Sequence, residues 1–472
     1  MTRPSLSLDS ITEALGASEL VEEVHGWDDV EISGLSQDSR TVEPGDLFLA
    51  WCGAEWDAHD FVASAAAAGA AAVVVERHVP DVALPQVRVS DGRRAAALAA
   101  DTVFGSPWRD LFTVGVTGTN GKTTTAVLLA HLLEEDGLDV ALGGNIGAAF
   151  GPPASELALR EDGPAWYVVE MSSFQLAAID RFKPDIGVVT NLAPDHLDWY
   201  PSVESYYADK ANLFRNADDD SCWVLNEGDS AVADLAEGIP GRHFYFGRSS
   251  SGRPGAPRGA YCDGDVLTLD LSGAPEPLGH AEDIALLGAH NLENALAAST
   301  AAGLAGASPE SIRRGLSTAK ALPHRTEKVA ETDGVRWVND SKATNVAAAR
   351  SAINSLDGAL LVLLGGKDKG EDFSPLVEAL SKADARVLAF GQAGPRIYKA
   401  LDGHVPAELL PGGFDEVMEA ATHRAVPGTT VLLSPACSSY DMFTSYEERG
   451  ARFAEMAKAS SSANAPSRDA ER

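Results

Sequence analysis

Leu111-Phe-Thr-Val-Gly-Val-Thr-Gly-Thr-Asn-Gly-Lys-Thr-Thr124 decides how the rest of the chain is read. Its first half is apolar and β-branched, which suits a buried strand. Its second half sets Gly118 and Gly121 among small polar residues, and residues 123–135 continue with helical character. Strand, glycine turn and helix in that order make an anion-binding device. Glycines let backbone N–H groups approach a phosphate, and the helix N-terminus adds partial positive charge. Lys122 can reach the β- and γ-phosphates, and Thr123 can ligate Mg²⁺. The long Walker spacing asks for glycine at 116, where Val116 stands, so the match is to the shorter GxxGK[ST] form. An ordinary strand–helix turn is the competing reading, and the flanking strand and helix favour a nucleotide.

Outward from this loop the chain falls into blocks. Further strands are expected at 167–170, 186–190 and 222–225, alternating with helices, which implies a mainly parallel sheet with helices on both faces. Upstream, residues 1–110 hold short apolar runs at 46–51 and 71–75 around an Ala-rich helix at 61–69, a small α/β domain. After Pro323 the alternation restarts. Strands are expected at 335–338, 359–364, 386–390 and 429–434, and helices at 344–355, 374–382, 414–425 and 446–458, a second doubly wound sheet. The fold class is therefore α/β in three domains, 1–110, 111–321 and 322–458. The central one is a P-loop ATPase-like parallel sheet and the last is Rossmann-like. Residues 249–258 read as a surface loop, and the small polar tail 459–472 as disordered.

Bulk properties set limits. A chain of 472 residues exceeds one hydrophobic core. A net charge of −32 argues against nucleic acid or an anionic membrane as partner, and is compatible with a salty cytoplasm. No apolar run approaches the ~20 residues that span a bilayer. The first twenty residues lack a charged-then-apolar leader, so a cytoplasmic location is expected. Cys52, Cys222, Cys262 and Cys437 lack CxxC spacing and read as reduced, buried thiols.

Two polar residues fall where open parallel sheets build sites, beyond the carboxyl ends of strands. Glu170 precedes Met-Ser-Ser-Phe-Gln175, and His196 follows Thr190-Asn-Leu-Ala-Pro-Asp195. Each has a bland alternative, a helix cap for Glu170 and a satisfied loop histidine for His196. Beside a phosphate loop they would supply oxygen and imidazole ligands to magnesium. Lys210 sits in an expected helix at 205–214, where a solvated lysine is the usual case.

Val116-Thr-Gly-Thr-Asn-Gly-Lys-Thr-Thr124, Gly144-Asn-Ile-Gly147, Glu170-Met-Ser-Ser-Phe-Gln175, Asp195-His196, His290-Asn-Leu-Glu-Asn-Ala295 and Leu322-Pro-His-Arg325 resemble the central domain of Mur ligases. Asn339-Asp-Ser-Lys-Ala-Thr-Asn345, Leu364-Gly-Gly-Lys-Asp-Lys-Gly370 and Ser434-Pro-Ala-Cys-Ser-Ser-Tyr-Asp441 are similar to the branch that adds D-glutamate. The resemblance runs from about Val114 to Ala457 with the motifs in the family's order. The Asp-Asn-Pro-Arg motif of the diaminopimelate- or lysine-adding relative is missing, and so is the Asp-Gly-Ala-His-Asn pattern of folylpolyglutamate synthetases.

The resemblance implies ATP-dependent ligation of D-glutamate to UDP-N-acetylmuramoyl-L-alanine for peptidoglycan, through an acyl phosphate. By the same carry-over, Gly118, Thr119, Asn120, Gly121, Lys122, Thr123 and Thr124 bind ATP phosphates, with Asn291, Arg325 and Asp340 clasping the nucleotide. Thr123, Glu170, His196 and a carbamylated Lys210 hold two Mg²⁺ ions. Lys122, His196, Lys210 and Lys342 form the catalytic set. Asn145 meets the muramoyl substrate. Lys342, Thr344, Lys369, Ser439, Tyr440 and Tyr446 meet glutamate, and Tyr440 and Tyr446 depart from the more usual apolar residue and phenylalanine.

The N-terminal block differs. Gly34-Leu-Ser-Gln-Asp-Ser-Arg40, Pro44-Gly-Asp-Leu-Phe48 and Gly69-Ala-Ala-Ala-Val-Val74 look like the UDP-binding domain of the later, third-residue- or dipeptide-adding ligases. On that pattern Gln37, Ser39, Ala54, Glu55 and Trp56 line the uridine diphosphate site, although Asp57-Ala-His59 replaces the commoner Asp-Gly-His. Three rivals stay open: L-glutamate in place of D-glutamate, a longer UDP-muramoyl-peptide, and a non-catalytic Mur-like scaffold. A monomer is expected.

Overall fold

The structure is a computed structural model. It describes the chain except residues 1–4, 27–29, 54–55, 107–108, 110, 148–149, 158–162, 197–198, 249–257 and 464–472. The chain folds into two compact units, one of residues 1–114 and 140–185, the other of residues 115–139 and 186–472.

The first unit opens with a five-stranded sheet. Its order is Val21–His25, Gln86–Val89, Ala72–Val75, Asp46–Leu49, Gly34–Ser36, parallel except for the first pair. Strand periodicity divides its core. Leu47, Leu49, Val74 and Val87 pack with Leu8, Ile11 and Leu98 of the helices Leu8–Ala17 and Gly92–Val103. Phe48, Val73 and Val75 pack on the other face with Val62 and Ala65 of the helix Val62–Ala68. The Ala-rich helix expected at 61–69 is therefore present, entered through a 3₁₀ turn at Ala58–Phe61. Further on, Val140–Gly144 and Trp166–Glu170 pair in parallel, so that Gly144 lies opposite Glu170.

In the second unit the expected strands Ile186–Val189 and Cys222–Asn226 run parallel, and Arg242–Gly247 and Arg258–Asp263, which the alternation did not mark, continue the sheet in parallel. Val266–Leu269 and Glu276–His280 then add two antiparallel strands that the pattern did not predict. Their signal is short: Gly264, at φ +65°, and Asp265 make a two-residue hairpin turn. The helix Lys122–Glu135 packs on the alanine-rich helix Ala289–Leu304 and on Pro309–Thr318, where a Cβ at Gly315 would fall 2.6 Å from Leu132.

The last sheet has the order Glu327–Thr332, Val335–Asn339, Thr429–Leu433, Ala359–Gly365, Arg386–Phe390, Ala407–Leu409, antiparallel only at its first pair. Val362 and Leu364 pack with the helices Val346–Ser355 and Pro375–Lys382, while Leu361 and Leu363 face Phe414–Arg424 and Tyr446–Ala463. This is the doubly wound arrangement the sequence implied.

Three expectations are corrected. The helix expected from 344 starts at Val346, because the Asn345 side chain accepts from Ala348 N and caps it. The tail expected to be disordered from 459 is helical to Ala463, and residues 464–472 lie outside the described ones. Residues 249–257 of the expected surface loop also lie outside them. Cys52 is exposed, unlike the other three cysteines; it lies past the buried strand end at Leu49–Ala50 in an isolated bridge to Asp57. Among the described residues no helix is long and apolar enough to cross a membrane.

Trp223 anchors the central sheet. It is fully buried, meets Phe214 edge to face at 4.7 Å, and donates from Nε1 to Pro240 O at 2.8 Å. Trp223→Ala should cost about 3–5 kcal/mol, read as a lowered urea midpoint with the slope unchanged. A loss below about 1 kcal/mol would contradict this packing.

Candidate active site

The strand Thr113–Thr117 is buried throughout and delivers Gly118 at φ +141°. A Cβ there would sit 2.0 Å from Thr190 Oγ1, and one at Gly121 would sit 2.2 Å from Asn294 Oδ1. Both positions therefore need glycine. The loop is pinned from a second strand end: Thr119 N donates to Asn191 O (2.8 Å), Asn120 N to Asn191 Oδ1 (2.9 Å), and Thr190 Oγ1 to Asn120 O (2.7 Å). The helix that follows starts at Lys122 without a side-chain cap. Its first-turn N–H groups carry the partial charge that suits an anion.

Two lysines converge on this loop. Lys122 Nζ donates to Gly118 O at 3.0 Å and to Thr119 O at 2.9 Å. Lys210 Nζ donates to the same Gly118 O at 2.6 Å. Lys210 is 1% exposed and lies over the Tyr206 ring at 4.7 Å, so it is not the solvated helix lysine of the bland reading. Its helix is Val203–Ala211, capped by Ser202 and continued by a 3₁₀ turn to Phe214.

Tyr206 is a residue the motif reading missed. It is buried, lies 3.5 Å from Thr119 Oγ1 through its hydroxyl, and meets the His196 ring edge-on at 6.0 Å. Burial pushes its phenol up to about 12. Its spacing four residues before Lys210 was the available signal. His196 holds a left-handed backbone (φ +55°), an uncommon conformation for a non-glycine and one that collects at functional sites.

In the same unit one cavity is lined by Asn120, Gly121, Thr124, Asn291, Arg325, Asp340 and Lys342, so the structure brings the phosphate loop and the expected nucleotide clasp together. Arg325 Nη2 donates to Thr123 Oγ1 at 3.2 Å. Asp340 is buried and accepts from Ser434 Oγ (2.7 Å) and Thr326 N (3.1 Å). Burial nonetheless pushes it up to about 7, against those bonds and nearby Arg325. His290 also lines the cavity. Its Nδ1 is buried without a hydrogen-bond partner, and burial pushes the ring down to about 4, so it stays neutral.

At the strand ends of the last sheet, Lys342 Nζ lies over the Tyr446 ring at 4.0 Å, and Lys342 N donates to His324 O. Thr344 N donates to Lys342 O, which keeps these two together. Ser439 is buried in the loop after Thr429–Leu433. Tyr446 is partly buried, which pushes its phenol up to about 12. Lys369 and Tyr440 are exposed on neighbouring loops.

In the first unit, Glu170 is 3% exposed and its Oε2 is buried with no hydrogen-bond partner. The helix after it is capped by Ser172, in a reciprocal box with Gln175, so Glu170 is not the cap. An orphaned carboxylate oxygen at a strand end fits a cation. Asn145 lies beside it, its N donating to Glu170 O at 2.8 Å. In the N-terminal sheet, Gln37 and Ser39 follow the strand Gly34–Ser36, and Trp56 is 72% exposed. Ala54 and Glu55 lie outside the described residues. Asp57 and His59 brace their own turn: His59 Nε2 accepts from Glu76 N (2.9 Å), so Nδ1 carries the proton towards Asp57.

A glycine-built phosphate loop backed by lysines and facing a second doubly wound sheet defines a nucleotide-using enzyme of the P-loop type. The chain belongs to the Mur ligase family. Residues 116–302 match the Mur ligase middle domain, 324–437 the Mur ligase glutamate ligase domain, and 31–101 the Mur ligase family catalytic domain. A UDP-N-acetylmuramoylalanine--D-glutamate ligase from Acidobacterium capsulatum is 42% identical over 345 residues, 73% of each chain. Two solved structures share the fold at low identity. MurF from Acinetobacter baumannii has a TM-score of 0.67 at 21% identity, covering 96% of this chain and 100% of its own. MurF from Thermotoga maritima, in complex with ADP, has a TM-score of 0.60 at 19% identity, covering 91% and 98%.

The raised Asp340 carboxyl has a measurable sign. Below about pH 4 it is protonated folded or unfolded. Between 4 and 7 only the folded protein keeps the proton, so its contribution to stability is lost as pH rises, and above 7 it is flat. Asp340→Asn should therefore gain stability relative to the parent from pH 4 to 7, by up to about 1.4 kcal/mol per pH unit. A difference that does not change with pH in urea titrations would refute the burial argument.

Proposed function

We propose that this chain joins the amino group of D-glutamate to the carboxyl group of UDP-N-acetylmuramoyl-L-alanine, with ATP converted to ADP and phosphate, in the cytoplasmic synthesis of peptidoglycan precursors. The observation that carries this reading is the convergence of Lys122 and Lys210 on the Gly118 carbonyl, in a loop that shares a cavity with Arg325, Asp340 and Lys342.

Triphosphate oxygens are stronger partners for the Lys122 ammonium than a carbonyl. Lys122 would leave Gly118 and Thr119 to take the β- and γ-phosphates, while the N–H groups of residues 118–124 cradle them. Asn291 and Asp340 would hold the nucleoside end, and Arg325 would clamp the phosphates. The substrate carboxylate attacks the γ-phosphorus. The bond to the β–γ bridging oxygen breaks, and ADP leaves with the electron pair. The glutamate amine then attacks the acyl carbon, and the tetrahedral intermediate expels phosphate while the surplus amine proton passes to solvent. Lys342, Thr344, Lys369, Ser439, Tyr440 and Tyr446 would receive the amino acid, whose two carboxylates call for lysines and hydroxyls. Asn145 would hold the muramoyl end, and Gln37, Ser39 and Trp56 the uridine diphosphate. Excluding water here protects the acyl phosphate from hydrolysis.

Two Mg²⁺ ions, held by Thr123, Glu170, His196 and Lys210, would neutralise the phosphate charge. An ammonium cannot ligate a metal, so Lys210 would serve as its carbamate, a carboxylate formed when the neutral amine adds CO₂.

Incubation with UDP-N-acetylmuramoyl-L-alanine, ATP, Mg²⁺ and each glutamate enantiomer should give a product heavier by one glutamate with the D form only. Product from the L form alone, or only from a longer UDP-muramoyl-peptide, would replace the substrate assignment. Lys122→Ala and His196→Ala should abolish ADP release, and parental turnover in either would refute their roles.

Lys210→Ala should lose activity and recover part of it with short carboxylic acids. Full activity without rescue would remove the carbamate.

A further inference from the structure

The strands Val335–Asn339, Thr429–Leu433 and Ala359–Gly365 are neighbours in the last sheet, so the loops leaving their carboxyl ends lie side by side. One side chain joins these loops, and no motif singled it out. Arg449, in the first turn of Tyr446–Ala463, is 1% exposed. Its Nε donates to Ser341 Oγ (2.9 Å), Nη2 to Ser341 O (2.8 Å) and Nη1 to Cys437 O (3.1 Å). Ser341 Oγ in turn donates to Tyr446 O at 2.8 Å. The third loop closes against the same group: a Cβ at Gly366 would fall 3.1 Å from Arg449 Nη1 and 2.2 Å from Ser438 O.

Each tie stands next to a residue assigned above to the amino acid. Ser341 precedes Lys342, Cys437 leads through Ser438 to Ser439, and the third tie is to Tyr446 itself. The three acceptors of the guanidinium are neutral oxygens. Burial lowers its pKa to about 10. The Asp441 carboxylate acts on it through space without a hydrogen bond, and a buried charge whose hydrogen bonds go only to neutral groups stays costly, so an anion arriving nearby offsets part of that cost. The Ser438 hydroxyl, buried in the same loop, has no hydrogen-bond partner. Lysine could not replace this fork, because a single nitrogen cannot span Ser341 and Cys437 together.

We propose that Arg449 is a positioning residue of the amino-acid pocket, holding Lys342, Ser439 and Tyr446 in register and tuning that pocket to a doubly anionic amino acid. The proposal rests on the reading of those three residues as the glutamate contacts.

The test is steady-state kinetics of the full chain and of Arg449→Met and Arg449→Lys, with D-glutamate and ATP varied separately. Arg449→Met should raise KM for D-glutamate at least about tenfold, with KM for ATP within about twofold of the parent. Arg449→Lys should fall between, since it keeps the charge and loses the fork. Equal rises in both KM values, or a lower kcat with KM for D-glutamate unchanged, would mark a general structural brace and overturn the proposal. If the methionine variant does not fold, the lysine variant decides by the same split. If the parent accepts a different amino acid, the substrate reading fails, and Arg449 is judged by the split on that amino acid. If the parent accepts none, both fall.

Discussion

The site depends on one backbone carbonyl. Gly118 O accepts from Lys122, four residues ahead, and from Lys210, far along the chain. Gly118 can present that oxygen only because no Cβ competes with Thr190 for the space. The buried strand before it fixes the direction of approach, and the Asn191 side chain and carbonyl hold the turn open. Gly118 O thus ties the loop and the helix Val203–Ala211 to one point.

Local geometry explains what was legible in the sequence. The phosphate loop, its strand and its helix could be read because they follow one another without a break from Leu111 to Glu135. The last sheet was readable in its four inner strands, which are largely apolar and buried, and not at its edges, where Glu327–Thr332 and Ala407–Leu409 are polar and partly exposed. The two antiparallel strands after Asp263 were not, since their only mark is a two-residue turn. Glu170 was ambiguous between cap and ligand, and the cap reading is removed two residues on. Ser172-Ser-Phe-Gln175 spells a capping box that leaves Glu170 nothing to cap. Tyr206 and Arg449 were invisible for a different reason. Their importance comes from burial against distant loops, and a single sequence does not show which tyrosine or arginine will be enclosed.

The alignment with the Acidobacterium capsulatum D-glutamate ligase covers 73% of the chain, whereas the Acinetobacter baumannii MurF fold runs through 96% of it. The N-terminal sheet was expected to follow the later ligases, and its residues bear the least direct chemistry. Asp57 and His59 spend their hydrogen bonds on their own turn and on Glu76 and Arg77. At the other end, Tyr446 both supports Lys342 through its ring and joins the hydrogen-bond chain of Ser341. A phenylalanine would supply the ring and the backbone carbonyl equally well, so the departure at this position concerns only its hydroxyl.

Cys52 offers a practical use. It is the one solvent-facing thiol of four, while Cys222, Cys262 and Cys437 are enclosed, and burial raises Cys437 to about 12. Thiolate, not thiol, is the reactive form. A maleimide dye added to the native protein would thus attach at a single address on the N-terminal sheet, giving a spectroscopic reporter without engineering the chain.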